Sequence, residues 1–378
     1  MPHDVDGRIT QIEQLAPLTN DWQRLAAGVP FRSPAWLTTW WQHYGTPGDL
    51  FVLALFDQGR LVGLAPWYRD AQRRRGPQLR QLGDTEVCSE YVRVMCEPGC
   101  EGAVATALAH WLVDSHGQGE WDVLELADVQ PHDTATTALA EHLAEAGCRV
   151  HVHRGATCWF VPLPESWDDY LARFSKDRRK KLRKMLRSFA HSGRAVLHTV
   201  STPEQLLHGR EILVDLHQRR HQSFGEPGCF AWPKYSAFHR QVFPQLLKQG
   251  QLGLHWLEVD GQPVAAEYHL IGHETVFCYQ GGISPEHLPI SPGQIVTLLT
   301  LQQTIAAGYR GFDFLRGDEP YKRQWQAEPR PTLTLRIVGN RTQARLRHSL
   351  WLATLDIKHW LRQIRQTPPE PTPTTTNT

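Results

Sequence analysis

Asp57-Gln58-Gly59-Arg60-Leu61-Val62 and Val259-Asp260-Gly261-Gln262-Pro263-Val264 are one hairpin turn written twice in the same chain. Gly59 aligns with Gly261 and Val62 with Val264, and apolar runs flank each turn, 51–56 with 61–68 and 251–258 with 263–271. Apolar runs that meet at a Gly-containing turn read as paired strands. The order that follows is also repeated. In the first half it is a strand at 91–95, a helix at 103–115 and a buried strand at 123–126. In the second it is a strand at 275–280, a helix at 293–307 and a buried strand at 312–315. Hairpins with Gly turns are common, so it is the matching downstream order that makes two copies of one fold the expectation.

At 378 residues the chain is long for one core, which favours the same division. The expected class is mixed α/β, two tandem domains each built on a central mixed sheet flanked by helices. The domains are expected at 1–164 and 165–342, with an amphipathic helix at 343–366 and a disordered Thr/Pro-rich tail at 367–378. Three further elements are read in the first half: a helix at 36–44 behind Ser33-Pro34, a helix at 135–146 closed by Gly147, and a returning hairpin at 150–161. A final strand is read at 333–338.

A net charge of +1 excludes a general polyanion-binding surface and makes any charge argument local. The first seven residues have neither a basic nor an apolar signal region, and no apolar run approaches the roughly 20 residues of a membrane span. The expectation is a cytoplasmic chain, with a peripheral membrane contact left open. The seven cysteines are scattered. Cys96 and Cys100 form the closest pair and lack a second pair or His couple, so reduced thiols and no metal are expected. His217 and His221 could share a helix face, but no third ligand stands in pattern with them. P-loop, dinucleotide fingerprint and nucleophile-elbow serine are all missing.

Two segments carry the chemistry. In 176–187, eight of twelve residues are Lys or Arg, while Leu182, Met185 and Leu186 keep helical spacing. One face packs and the other, with Arg178, Arg179 and Lys180, is either merely solvated or a contact for an anionic ligand, partner or membrane surface. The other segment is Gly311-Phe312-Asp313-Phe314-Leu315-Arg316-Gly317-Asp318-Glu319-Pro320-Tyr321-Lys322-Arg323-Gln324-Trp325. A buried strand that runs into carboxylates, a Tyr and a Lys projects them into a cleft, unless the loop is only a solvated turn anchored by Trp325.

Together these motifs resemble the CelD/BioF2-like acetyltransferase family of the GNAT superfamily, which is related to the Fem peptidoglycan peptidyltransferases with their two GNAT copies. The resemblance rests on Ser175-Lys176 to Leu182, Gly225-Glu226-Pro227-Gly228, Asp260-Gly261-Gln262-Pro263-Val264-Ala265-Ala266, Tyr279 to Gly282, Ser291-Pro292-Gly293 and the Asp313 to Trp325 block. It covers 167–325 well and the first half loosely. It implies an acetyl-CoA or other acyl-CoA donor lying in a V between the 275–280 and 312–315 strands. The pyrophosphate would sit at a helix start formed by Ser291, Pro292, Gly293 and Gln294, with Ser291 capping. The usual GNAT phosphate loop is absent, and Fem relatives use aminoacyl-tRNA instead of CoA.

Transfer by direct attack needs a base, donors to the oxyanion and a group for the departing sulfur. Glu267 and Asp313, carboxylates at positions that otherwise read apolar, are base candidates, with Asp313 equally able to pair with Arg316 or Lys322. Tyr321 is a candidate acid and Glu319 a further catalytic candidate. Arg316 and Lys322 could hold a phosphate or an anionic acceptor, and Tyr279 could pack on the acyl chain. The acceptor would be an amine or hydroxyl, a saccharide being one option, and nucleic acid is disfavoured. The first copy, lacking the Ser291 and Tyr321 motifs, is expected to be degenerate. A non-catalytic scaffold and a Fem-like transferase are the rival readings.

Overall fold

The computed structural model describes residues 5–46, 48–70 and 76–352. The first half contains β1 (Val5–Ile9), α1 (Thr19–Leu25), α2 (Pro34–Tyr44), β2 (Leu50–Asp57), β3 (Arg60–Asp70), β4 (Gln78–Gln81) and β5 (Met95–Cys96). It continues through α3 (Glu101–Gly117), β6 (Val123–Val129), α4 (Thr134–Glu145) and β7 (Arg149–Pro162). The second half begins with α5 (Trp167–Ala172), α6 (Lys176–Met185), β8 (Ala195–Thr199), α7 (Pro203–Gln222) and α8 (Pro233–Lys248). Then come β9 (Leu252–Val259), β10 (Gln262–Ile271), β11 (Thr275–Ile283), α9 (Pro292–Ala306), β12 (Gly311–Arg316) and β13 (Glu328–Val338). A last helix occupies 342–352; the rest of the expected 343–366 helix and the 367–378 tail lie outside the described residues.

The two repeated turns have the same backbone. Gln58 and Gly59 stand at φ 49° and 81°, Asp260 and Gly261 at 51° and 77°. Positive φ at both central positions is the two-residue turn whose twist matches paired strands, and it joins β2 to β3 and β9 to β10. Val62 and Val264 are each the third residue of the returning strand.

All these strands form one mixed sheet in the order β1-β2-β3-β4-β6-β13-β7-β12-β11-β10-β9-β8, with β5 on β3. Two neighbouring pairs are parallel, β4 with β6 and β11 with β12, one in each half. At the centre the halves exchange their last strands. β13, from the end of the second half, lies between β6 and β7, and β7, from the first, lies between β13 and β12.

That exchange corrects one expectation. The 150–161 hairpin is a single strand, because its polar stretch pairs along its length with β13 before its apolar end pairs with β12. The 91–95 strand is also revised: only Met95–Cys96 is a strand, and Tyr91 turns the chain at φ 63°. On one face, α1, α2, α7 and α8 cover a core common to both halves, in which Trp36 packs edge-on against Phe238 at 4.9 Å. The opposite face carries two separate cores, one under α3 and α4 and one under α5, α6 and α9.

Candidate functional site

β11 and β12 pair only at Thr275–Gly311, Val276–Phe312 and Phe277–Asp313. Beyond that rung β11 continues on β10 alone and β12 on β7, so the parallel strands part and leave a V at mid-sheet. β12 bends as it leaves: Leu315 stands at φ 56°, and its N–H donates to Asp313 Oδ1 over 2.7 Å.

Asp313 is 2% exposed and accepts the Tyr91 hydroxyl at 2.6 Å. Burial raises its carboxyl to about 6, against the pull of these two donors. Arg316, next along, binds Glu90 at 2.5 Å and Asp128 at 2.7 Å, both carboxylates of the first half. Burial lifts Glu90 to about 7 although Arg316 opposes it. Lys322, 2% exposed, donates to the carbonyls of Leu315, Arg316 and Gly317 and meets Glu319 at 2.9 Å. Its ammonium thus closes the end of β12 rather than facing an open side. Tyr321 sets its ring edge-on to Phe314 at 5.9 Å. Tyr321 is 43% exposed, and partial desolvation, with Cys278, Glu319 and Glu267 adding, raises its hydroxyl above the usual phenol range, in the protonated form a proton donor needs.

Glu267 lies between the sheet and α9. Its oxygens accept from Thr297 at 2.7 Å, Thr300 at 2.9 Å and His269 Nε2 at 3.0 Å. Strand alternation puts Glu267 and His269 on one face, and Cys278 pairs directly across from His269. These three are the one group of metal-ligand types in proximity among the described residues, one ligand atom from each lying within 4.8 Å of the others. Thr297 and Thr300, both buried and one helical turn apart on α9, were the legible sign of a buried acceptor opposite.

The expected donor residues divide. Tyr279 points to the opposite face, where its hydroxyl donates to the Val87 carbonyl at 2.6 Å and its ring meets Phe31, Trp36 and Tyr268. It packs the shared core, because alternation turns it away from Cys278. Ser291 precedes α9 in the left-handed region at φ 58° and makes no side-chain cap, which corrects the expected capping role; Pro292 takes an early helical position as expected. A Cβ on Gly293 would meet only Ile283 Cγ2, at 3.5 Å. Gln294 Oε1 accepts from Arg178 Nη1 at 3.3 Å, and the Arg178 guanidinium lies 5.4 Å from the Trp325 ring. Arg179 and Lys180 face elsewhere, lining a depression of about 460 Å3 with Lys176, Arg183 and Arg187.

The V of the first half differs. β4 and β6 pair last at Arg80–Glu125, and the next residue on β4, Gln81, spans the gap. Its Oε1 accepts from the Ala127 N–H at 2.7 Å and its Nε2 donates to the Val92 carbonyl at 2.5 Å. Cys278 holds the corresponding place in the second half, the first residue of β11 beyond its pairing with β12. Glu90, Tyr91, Asp128, Cys278 and His269 were missed in the sequence, the first three because they reach the site only through long-range pairing.

Residues 176–323 match a family model described as an acetyltransferase (GNAT) domain. No curated protein matches the chain significantly. Among solved structures, the fold is similar to FemX, with 12% identity, a TM-score of 0.62, and coverage of 87% of this chain and 98% of that one. It is similar also to L-PGS from Bacillus licheniformis, at 12% identity and a TM-score of 0.50, over 90% of this chain and 96% of that one. A C-terminal DUF2156 domain from Agrobacterium fabrum, assigned to a lysylphosphatidylglycerol synthetase, has 14% identity and a TM-score of 0.52 over 87% and 95%. Identities this low establish the fold and no more. The chain therefore has a GNAT-like mixed α/β fold, and part of its second half, residues 176–323, is similar to a GNAT acetyltransferase domain.

Proposed function

We propose that this chain is a GNAT-type acyltransferase that takes an acyl group from acetyl-CoA or another acyl-CoA and passes it to an amine or hydroxyl. The observation that carries this reading is the contrast between the two V openings, one strapped by Gln81 and the other parting freely after Phe277 and Asp313. A thioester arm needs such a slot, and its pyrophosphate needs unpaired N–H groups at a helix start. The start of α9 meets that need in part: Pro292 has no N–H and those of Gln294 and Ile295 donate to the Ser291 carbonyl at 2.9 and 3.3 Å, so the donor it offers is the Gly293 N–H. Packing does not require a glycine at 293, so its bare backbone is free for close approach by a phosphate.

In this reading Tyr321 serves the departing sulfur, and Asp313 and Glu267 are the buried carboxylates on either side of the opening. Glu319 and Lys322 form the pair that shapes the loop, and Arg316 ties that loop to the first half. Two copies, 1–164 and 165–342, arose by duplication, and the first no longer takes a donor. The CelD/BioF2-like resemblance suggests a saccharide or other cell-envelope acceptor and a cytoplasmic setting. The basic face of 176–187 would then contact an anionic surface.

A Fem-like transfer from aminoacyl-tRNA is the second reading, favoured by the likeness to FemX and by the cluster around Arg179 and Lys180. A thermal-shift series with acetyl-CoA, longer acyl-CoAs and CoA separates the two. A ligand that binds only the native state raises the melting temperature, by an amount set by its concentration over Kd. A rise with CoA compounds supports the first reading, and no shift at millimolar concentration favours the second.

A further inference from the structure

We infer that the cavity between α7 and α8 is a second ligand site, suited to a small aromatic acid that carries a hydroxyl at the end away from its carboxylate. The two helices cover the face of the sheet opposite α9, so this site is independent of the acyl-CoA reading above.

The cavity encloses about 320 Å3, at the small end of ligand-sized volumes, and the buried rings of Phe230 and Phe243 line it together with Val214. His239, 1% exposed, lines it too. Its Nδ1 is enclosed and has no hydrogen-bond partner. The other ring nitrogen, Nε2, lies 3.5 Å from the Tyr279 hydroxyl, which already gives its hydrogen to the Val87 carbonyl. Tyr279 can therefore only accept from His239, which puts the imidazole hydrogen on Nε2 and leaves a lone pair on Nδ1. Burial holds the ring at about 3, far below its ordinary range, so it stays neutral and that lone pair persists. A buried acceptor left without a donor is costly, and a ligand hydroxyl supplies the donor. Behind it, the Tyr268 hydroxyl is a second enclosed group without a partner, its ring edge-on to His239 at 5.6 Å.

The mouth has the opposite chemistry. Arg210 comes from α7 and Arg240 from α8, and neither side chain makes an ion pair among the described residues. Of the two carboxylates beside them, Asp215 is held by Arg219 at 3.0 Å, which leaves Glu211 as the one uncommitted acid of the lining. Two free guanidiniums on facing helices favour a carboxylate, and the phenylalanines favour an aromatic body between it and the hydroxyl. From the cavity floor, the His239–Tyr279 and Tyr279–Val87 contacts lead to the loop that carries Glu90 and Tyr91 to Arg316 and Asp313.

The test is calorimetric titration of full-length protein with para-hydroxyphenylacetate and with phenylacetate, which lacks only the hydroxyl. One molecule of the hydroxylated acid should bind per chain, and phenylacetate should bind about tenfold more weakly, the effect of one buried hydrogen bond. Arg210→Ala with Arg240→Ala changes two side chains at the mouth. It should weaken both acids by about tenfold or more while the melting temperature stays put. His239→Phe keeps a ring and removes the acceptor, so there the two acids should bind alike. Should that variant fail to fold, the comparison of the two acids on the native protein still decides. No binding of either acid at millimolar concentration, equal affinity of the two for the native protein, or affinity unchanged in the double arginine variant would overturn the inference. Acetyl-CoA added first should leave the titration unchanged, and a failure of acetyl-CoA to bind would count against the donor reading alone.

Discussion

The Tyr91 hydroxyl donates to Asp313 at 2.6 Å across 222 positions of sequence, at the rung where β11 and β12 part. One bond thus joins the loop after β4 to the opening of the second V. Beside it, Arg316 joins Glu90 and Asp128. The first half, strapped shut by its own Gln81, supplies one wall of the site in the second. Positive φ at Cys88, Tyr91, Asp128 and Leu315, all non-glycine, collects around this junction, as backbone strain does where geometry serves function.

Tyr91→Phe keeps the ring and leaves a buried carboxylate one donor short. It should lower stability by about 1–3 kcal/mol in urea denaturation and raise the Asp313 pKa further. An unchanged midpoint would show that the bond contributes nothing.

Asp313 also sets a pH dependence. Its folded value of about 6 lies above the unfolded value near 3.8, so the native state holds the extra proton between them. Its contribution is full below the lower value and is lost as pH rises through about 6. Stability measured near pH 4 and pH 7 should therefore fall across that window in the native protein and fall less in Asp313→Asn, by about 3 kcal/mol. Equal slopes would place the Asp313 proton elsewhere.

Lys322→Met removes an ammonium that three carbonyls and Glu319 surround. The expected loss is about 1–3 kcal/mol, because the part-buried carbonyls lose their donor while Glu319 already reaches solvent. A change in KM with the melting temperature unmoved would instead return Lys322 to the anion-holding role that its sequence context suggests.

Reversing Arg179, Lys180 and Arg183 to Glu should abolish binding to vesicles containing an anionic lipid and hardly change the melting temperature, since these side chains stand on the open face of α6. Binding of native protein should weaken as salt rises. Salt-independent binding retained by the variant would exclude this face.

Much of the fold was legible because its signals are local. The turns at Gly59 and Gly261, the strand around Asp313 and the start of α9 at Pro292 each declare themselves within a few residues. What could not be read was pairing at a distance. The exchange of β7 and β13 depends on which half a strand joins, and nothing near Arg149 records that. The same holds for the site. Asp313 and Glu267 stood out as carboxylates in apolar strands, but Tyr91 and Glu90 reach them only through the folded loop after β4. Tyr279 was read as a donor contact and lies on the opposite face. The alternation that sends it there brings Cys278 to His269.

Calorimetric titration of acetyl-CoA into the native chain and into Gly293→Leu tests the central claim most directly. A single donor site in the second V predicts one molecule bound per chain and a marked loss of affinity in the variant, whose fold the neighbouring Ile283 contact should tolerate. Two molecules per chain, no binding, or equal affinity with the variant intact would contradict it.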